Sequence, residues 1–101
     1  MWIMALFDLP VLTKQERSKA TKFRNYLLDE GFEMVQFSVY VRFTKGKEMV
    51  DAISRRIAKR VPPSGKVDIL CFTDAQYANI VSFRGKVDRN KPEKPDQLAL
   101  F

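Results

Sequence analysis

Residues 1–10 read MWIMALFDLP, an unbroken apolar run from Met1 to Phe7 that ends in Asp8-Leu9-Pro10. An apolar run of this length without alternation is the pattern of a strand buried on both faces. The proline closes it, because its ring cannot donate to a sheet ladder and restricts the residue before it. Asp8 is therefore expected where a central strand leaves its sheet. A carboxylate at that point has two readings. It can accept hydrogen bonds from the amides of the turn that follows, or it can be an oxygen ligand for a hard cation such as Mg2+, which activates water beside a phosphodiester without histidine. One carboxylate binds magnesium poorly, and a twofold dimer would bring a second Asp8.

The rest of the chain is poor in catalytic side chains. There is no histidine, and the single cysteine is Cys71, so Ser-His-Asp, Cys-His and zinc-cluster chemistries are excluded or nearly so. At 101 residues the chain is one domain near the lower size at which a core is comfortable alone, and a partner subunit would help. No apolar run approaches the length of about 18 residues needed to span a membrane. The opening run also lacks the basic flank and cleavage site of a signal peptide, and a lone cysteine forms no disulfide framework, so a reducing cytoplasm is the expected location.

Working outward from Pro10, Thr13-Lys14-Gln15-Glu16 matches the capping box, which places a helix from about Lys14 to Glu30 with Gly31 as its left-handed cap. Ala20, Phe23, Leu27 and Phe32 should line its buried side. From Phe32 to Phe43 the period becomes two, with Val35, Phe37, Val39, Val41 and Phe43 on one face and Gln36, Ser38, Tyr40 and Arg42 on the other. This reads as one long strand. A second helix from Lys47 to Arg60, burying Met49, Val50, Ile53 and Ile57, stops at Pro62-Pro63-Ser64-Gly65. A strand follows over Lys66 to Thr73, then a turn-rich stretch at Asp74-Ala75-Gln76-Tyr77 and a short strand around Ile80 to Phe83.

Four strands and two helices fit the α+β, ferredoxin-like order βαββαβ: a four-stranded antiparallel sheet with both helices on one face. The other face is uncovered. Gln36, Ser38 and Tyr40 are expected on it, and homodimerisation is the simplest cover. Residues 1–86 form the domain. Residues 87–101 have the composition of a solvated linker that closes on Leu98-Ala99-Leu100-Phe101, either a frayed end or a strand or plug docked on a partner.

Eighteen Lys and Arg against twelve Asp and Glu give a net charge of +6 and a pI of about 9.7, which favours a polyanionic partner. Lys14, Arg17, Lys19, Lys22 and Arg24 fill the early turns of the first helix while Asp29, Glu30 and Glu33 crowd its end, against the preference of the helix dipole. A helix start carrying Lys14 and Arg17 reads as a phosphate site or as a solvated face. Arg55, Arg56, Lys59 and Arg60 suit the C-terminus of the second helix and are also placed to touch a nucleic-acid backbone. Arg84-Gly85-Lys86 is a third basic point. Val67 to Phe72 stands where an aromatic base-stacking strand would be, so backbone recognition of a duplex fits better than stacking on single-stranded RNA.

Met4 to Pro10, Gly31-Phe32, Gln36-Phe37-Ser38-Val39-Tyr40 and Asp74-Ala75-Gln76-Tyr77 together resemble CRISPR-associated protein two, the small adaptation subunit that works beside the CRISPR integrase, over residues 1–86. The resemblance implies a ferredoxin-like homodimer in which Asp8 of both protomers shares one Mg2+ ion. It implies a metal-dependent endonuclease acting on RNA or DNA, with Asp8 as the catalytic residue, or a non-catalytic scaffold that holds a DNA duplex while the integrase joins it to the repeat array. Lys14, Arg17, Arg84 and Lys86 then become the nucleic-acid contacts, single-stranded RNA being the second candidate ligand. Leu98, Leu100 and Phe101 become the integrase contacts. The alternative within the same fold is a stand-alone, toxin-like ribonuclease, which gives the tail no purpose.

Overall fold

The computed structural model describes residues 1–85. The opening run forms β1 (Trp2–Asp8), and every second side chain, Ile3, Ala5 and Phe7, enters the core. Helix α1 (Lys14–Asp29) begins at the expected capping box: Thr13 Oγ1 accepts from the Glu16 amide at 3.0 Å, and Glu16 Oε1 accepts from the Thr13 amide at 2.8 Å. It ends as foreseen at Gly31 (φ 96°). The Gly31 amide donates to the Leu28 carbonyl and the Phe32 amide to the Leu27 carbonyl, the paired bonds of a Schellman stop.

The long strand expected over Phe32 to Phe43 is instead a hairpin, β2 (Glu33–Gln36) and β3 (Val39–Phe43), turning at Phe37 and Ser38. Ser38 takes a left-handed φ of 65°, which its small side chain tolerates. Gln36 pairs with Val39, and the register slips between Met34 and Gln36. A two-residue turn breaks the period of two. The facing of β3 is therefore the reverse of the sequence expectation: Tyr40, expected on the uncovered face, is 3% exposed in the core against Phe7, whereas Val39 and Val41 pair with Leu6 and Met4 on the other face.

Helix α2 (Lys47–Ala58) buries Val50, Ile53 and Ile57, and β4 (Lys66–Phe72) completes the sheet. The strand order is β2-β3-β1-β4 with all neighbours antiparallel, the expected ferredoxin-like arrangement. The hairpin supplies the extra strand. Ile80 to Phe83, expected as a strand, has no strand pairing and is exposed. The stretch before it, read as a turn, is a five-residue helix α3 (Asp74–Ala78) with its own capping box at Thr73 and Gln76.

Both long helices lie on the face carrying Ile3, Ala5, Phe7 and Tyr40, where Phe23, Leu27, Val50, Ile53 and Ile57 complete one core. The junction of α1, β3 and α2 is pinned by Glu30. Its carboxylate accepts from the Tyr26 hydroxyl at 2.7 Å and from Nε and Nη2 of Arg56, and Arg42 Nη1 donates to the Glu30 carbonyl at 2.6 Å. Hydrogen bonding to Arg56 holds the Glu30 carboxyl below the usual glutamate range. Burial raises the Tyr40 hydroxyl, and burial with the bond to Glu30 raises that of Tyr26.

Candidate metal and nucleic-acid site

The alternation along β1 decides where Asp8 points. Ile3, Ala5 and Phe7 face the helices, so Trp2, Met4, Leu6 and Asp8 share the opposite face, and Asp8 is exposed at its end. Its neighbour across the ladder is Lys66, whose ammonium lies 3.6 Å from Asp68. The hairpin tip closes the other flank, where the Phe7 amide donates to the Ser38 carbonyl at 3.1 Å. Neither Lys66 nor Ser38 was singled out as a neighbour of Asp8. Lys66 was visible as a strand start, but only the β1–β4 register puts it opposite the carboxylate.

Asp8 is a hard oxygen donor of the kind magnesium takes, and it is free of the turn hydrogen bonds that the competing reading required: no bond to its side chain occurs among the described residues. Among those residues no three carboxylate or thiol groups cluster in a metal-binding arrangement. One chain therefore offers the right donor type and too few donors, and a metal here would draw on water and on a second copy.

Of the basic residues, Lys14 is exposed in the first turn of α1. Arg17 is partly committed: its Nη1 donates to the carbonyls of Val11 and Leu12 at 3.2 and 3.1 Å, bracing the loop from Pro10 into the helix. Both follow Asp8 through that short loop. Arg84 lies elsewhere. With Met34, Gln36 and Phe83 it lines a groove of about 720 Å³ across the uncovered sheet face, so it shares a face with Asp8 and not with α1. Lys86, Leu98, Leu100 and Phe101 lie outside the described residues.

That face, covered only in part by the segment after α3, is strongly apolar. Phe43, Leu70 and Val35 are each about half exposed on it or at its edge, and Phe83 is 90% exposed. Trp2 is stacked on Tyr77 of α3 with ring centroids 3.9 Å apart, and Phe43 meets the Trp2 ring edge-on. So much contiguous apolar surface on a small chain marks an interaction surface. No helix among the described residues is long and apolar enough to cross a membrane.

Comparison with known proteins agrees with this architecture. The family described as CRISPR associated protein Cas2 matches residues 1–80. A protein named CRISPR-associated endoribonuclease Cas2 from Paracidovorax avenae is 50% identical over 101 residues, covering 100% of this chain and 94% of its own. Proteins of the same name from Lacticaseibacillus rhamnosus and Flavobacterium psychrophilum are 46% and 42% identical across the whole chain, covering 100% and 88% of their own lengths. The crystal structure of Streptococcus pyogenes Cas2 at pH 6.5 superposes with a TM-score of 0.63 at 16% identity, covering 83% of this chain and 100% of that one, which supports the fold.

Proposed function

This chain belongs to the CRISPR associated protein Cas2 family, and on that premise we propose that it is a CRISPR adaptation protein working as a homodimer. The observation that carries the proposal is the placement of Asp8: an exposed carboxylate at the end of the central strand, on the apolar sheet face that the described residues cover only in part. A second copy laid on that face across a twofold axis covers the apolar side chains and supplies a second Asp8. The pair would hold one Mg2+ ion. When bound, the metal supplies a Lewis acid and a water of lowered pKa for phosphodiester cleavage.

The rest of the role falls to the chain's own groups. Lys14, with the backbone amides of Lys14 and Gln15, offers a phosphate contact after the Asp8 strand end, and Arg17 holds the connecting loop in shape while presenting its remaining guanidinium nitrogens. Arg84 and Lys86 give a second basic point. The substrate class indicated by the relatives' names is RNA, and a DNA duplex held for integration uses the same phosphate contacts without cleavage. Leu98, Leu100 and Phe101 are assigned to the integrase subunit.

Asp8→Ala separates these uses. It should abolish magnesium-dependent cleavage of RNA and DNA by the purified protein while the dimer persists in sedimentation. Retained cleavage would remove Asp8 from the catalytic role. Spacer acquisition assayed with the integrase present then distinguishes scaffold from nuclease: unchanged acquisition by the variant assigns the biological role to the scaffold. Deletion of residues 98–101 should weaken integrase association and leave the fold intact.

A further inference from the structure

A second concavity lies on the helical side of the molecule, away from the face that carries Asp8. It opens between α1 and the segment that follows α2 and has a volume of about 270 Å³. Four cations line it, Lys19 and Lys22 from α1 with Lys59 and Arg60 from the end of α2, and no carboxylate does. Four other basic residues of the chain are paired with carboxylates. Lys47 lies 3.4 Å from Asp51 and Lys66 3.6 Å from Asp68, and Arg42 and Arg56 both meet Glu30. Lys19, Lys22, Lys59 and Arg60 have no ion pair among the described residues. Like charges gathered on one concavity repel each other, and an anion lying between them relieves that repulsion.

The rest of the pocket is not what a bare anion needs. Phe23, 2% exposed, forms part of its lining, and Val61, Pro62 and Pro63 add an apolar wall. Tyr26 stands between the two kinds of surface and is held there. Its hydroxyl donates to Glu30 at 2.7 Å, and the Arg60 guanidinium sits over its ring at 4.8 Å from the centroid. Glu30 is itself committed to Arg42 and Arg56. An aromatic wall and one cation are thus fixed before any ligand arrives, which lowers the ordering cost of binding.

The geometry points to a binding site for one nucleotide unit, its phosphate among Lys19, Lys22 and Lys59 and its sugar and base against Tyr26 and the prolines. The volume lies just below the range of about 300–1,000 Å³ usual for small-molecule sites, which suits a single unit. That unit belongs either to a free nucleotide or to a single strand passing over the helical face. The site is independent of the Asp8 reading and does not require cleavage.

The test is a titration of the full-length protein, followed by amide NMR shifts, with adenosine monophosphate in one arm and a short single-stranded oligonucleotide in the other. The comparison variant is Lys22→Gln/Lys59→Gln, in which both replaced residues are exposed and an unchanged melting temperature confirms the fold. Shifts should centre on Tyr26 and Val61. The variant should bind the oligonucleotide about tenfold more weakly, with a salt slope lower by about 1.4 for two lost contacts to a single strand. Binding of the mononucleotide alone identifies a free-nucleotide site, and binding of the oligonucleotide alone identifies a strand site. Shifts confined to Lys14, Arg17 and the sheet face, or equal affinity and salt slope in wild type and variant, overturn the proposal.

Discussion

The two faces of one four-stranded sheet are finished to different degrees. On the helical face Ile3, Ala5, Leu27 and Ile53 are 0% exposed, and Glu30 joins three elements with every carboxylate oxygen bonded. On the other face Phe43, Leu70 and Val35 remain about half exposed, covered in part by Tyr77 and the segment after α3. The same strands supply both faces, so the difference does not come from strand propensity. The helical face is completed within the described residues and secures the fold, whereas those residues leave the open face only partly covered.

Substitutions sharpen that division. Leu27→Ala or Ile53→Ala on the helical face should lower the unfolding free energy by about 2–5 kcal/mol, read from chemical denaturation with circular dichroism; a loss below about 1 kcal/mol would show a core less tightly packed than the structure has it. Leu70→Glu on the open face should leave secondary structure intact and move the protein from dimer to monomer in sedimentation. A folded, fully dimeric Leu70→Glu protein would place the interface elsewhere.

Glu30→Gln should cost about 1–2 kcal/mol near neutral pH, because two arginines lose a charged acceptor. The sign of its pH dependence follows from the direction of the shift. The native Glu30 carboxyl titrates below its ordinary value of 4.5, so its contribution is fully present above that pH and is lost as pH falls through the lower native value. The gap between wild type and Glu30→Gln should therefore narrow on acidification. A gap constant from pH 7 to strong acid would mean that the carboxylate charge contributes nothing. The smallest effect is expected at Asp8: Asp8→Ala should change stability by less than about 0.5 kcal/mol, since the side chain is exposed and has no bond among the described residues. A large stability loss there would return Asp8 to a structural role.

The helical face was largely legible in the sequence. The capping box at Thr13, the stop at Gly31 and the buried positions of α2 all follow from local spacing, and so does the strand end at Asp8. The open face was misread at the hairpin and again at Ile80 to Phe83, a segment that lines its groove without forming the expected strand. The apolar alternation runs straight through Phe37-Ser38, and neither residue is the glycine or asparagine that announces a hairpin. Missing the turn put Tyr40 outside and Val41 out of place. Helix α3 had a usable signal, because Thr73-Asp74-Ala75-Gln76 has the same form as Thr13-Lys14-Gln15-Glu16. The cationic pocket had none: Lys19, Lys22, Lys59 and Arg60 are conspicuous one by one, but only the packing of α1 beside the end of α2 gathers them.

The stack of Trp2 on Tyr77 gives the two faces different optical properties. Trp2 is the only tryptophan in the chain, and it lies on the open face with Phe43 at its edge. Indole emission therefore reports first on that face, where the ring touches Tyr77 and Phe43. In this protein, intrinsic fluorescence reads the surroundings of Trp2 on the open face and circular dichroism reads the backbone, so a change in emission without a change in dichroism locates an event on that face without attaching a label.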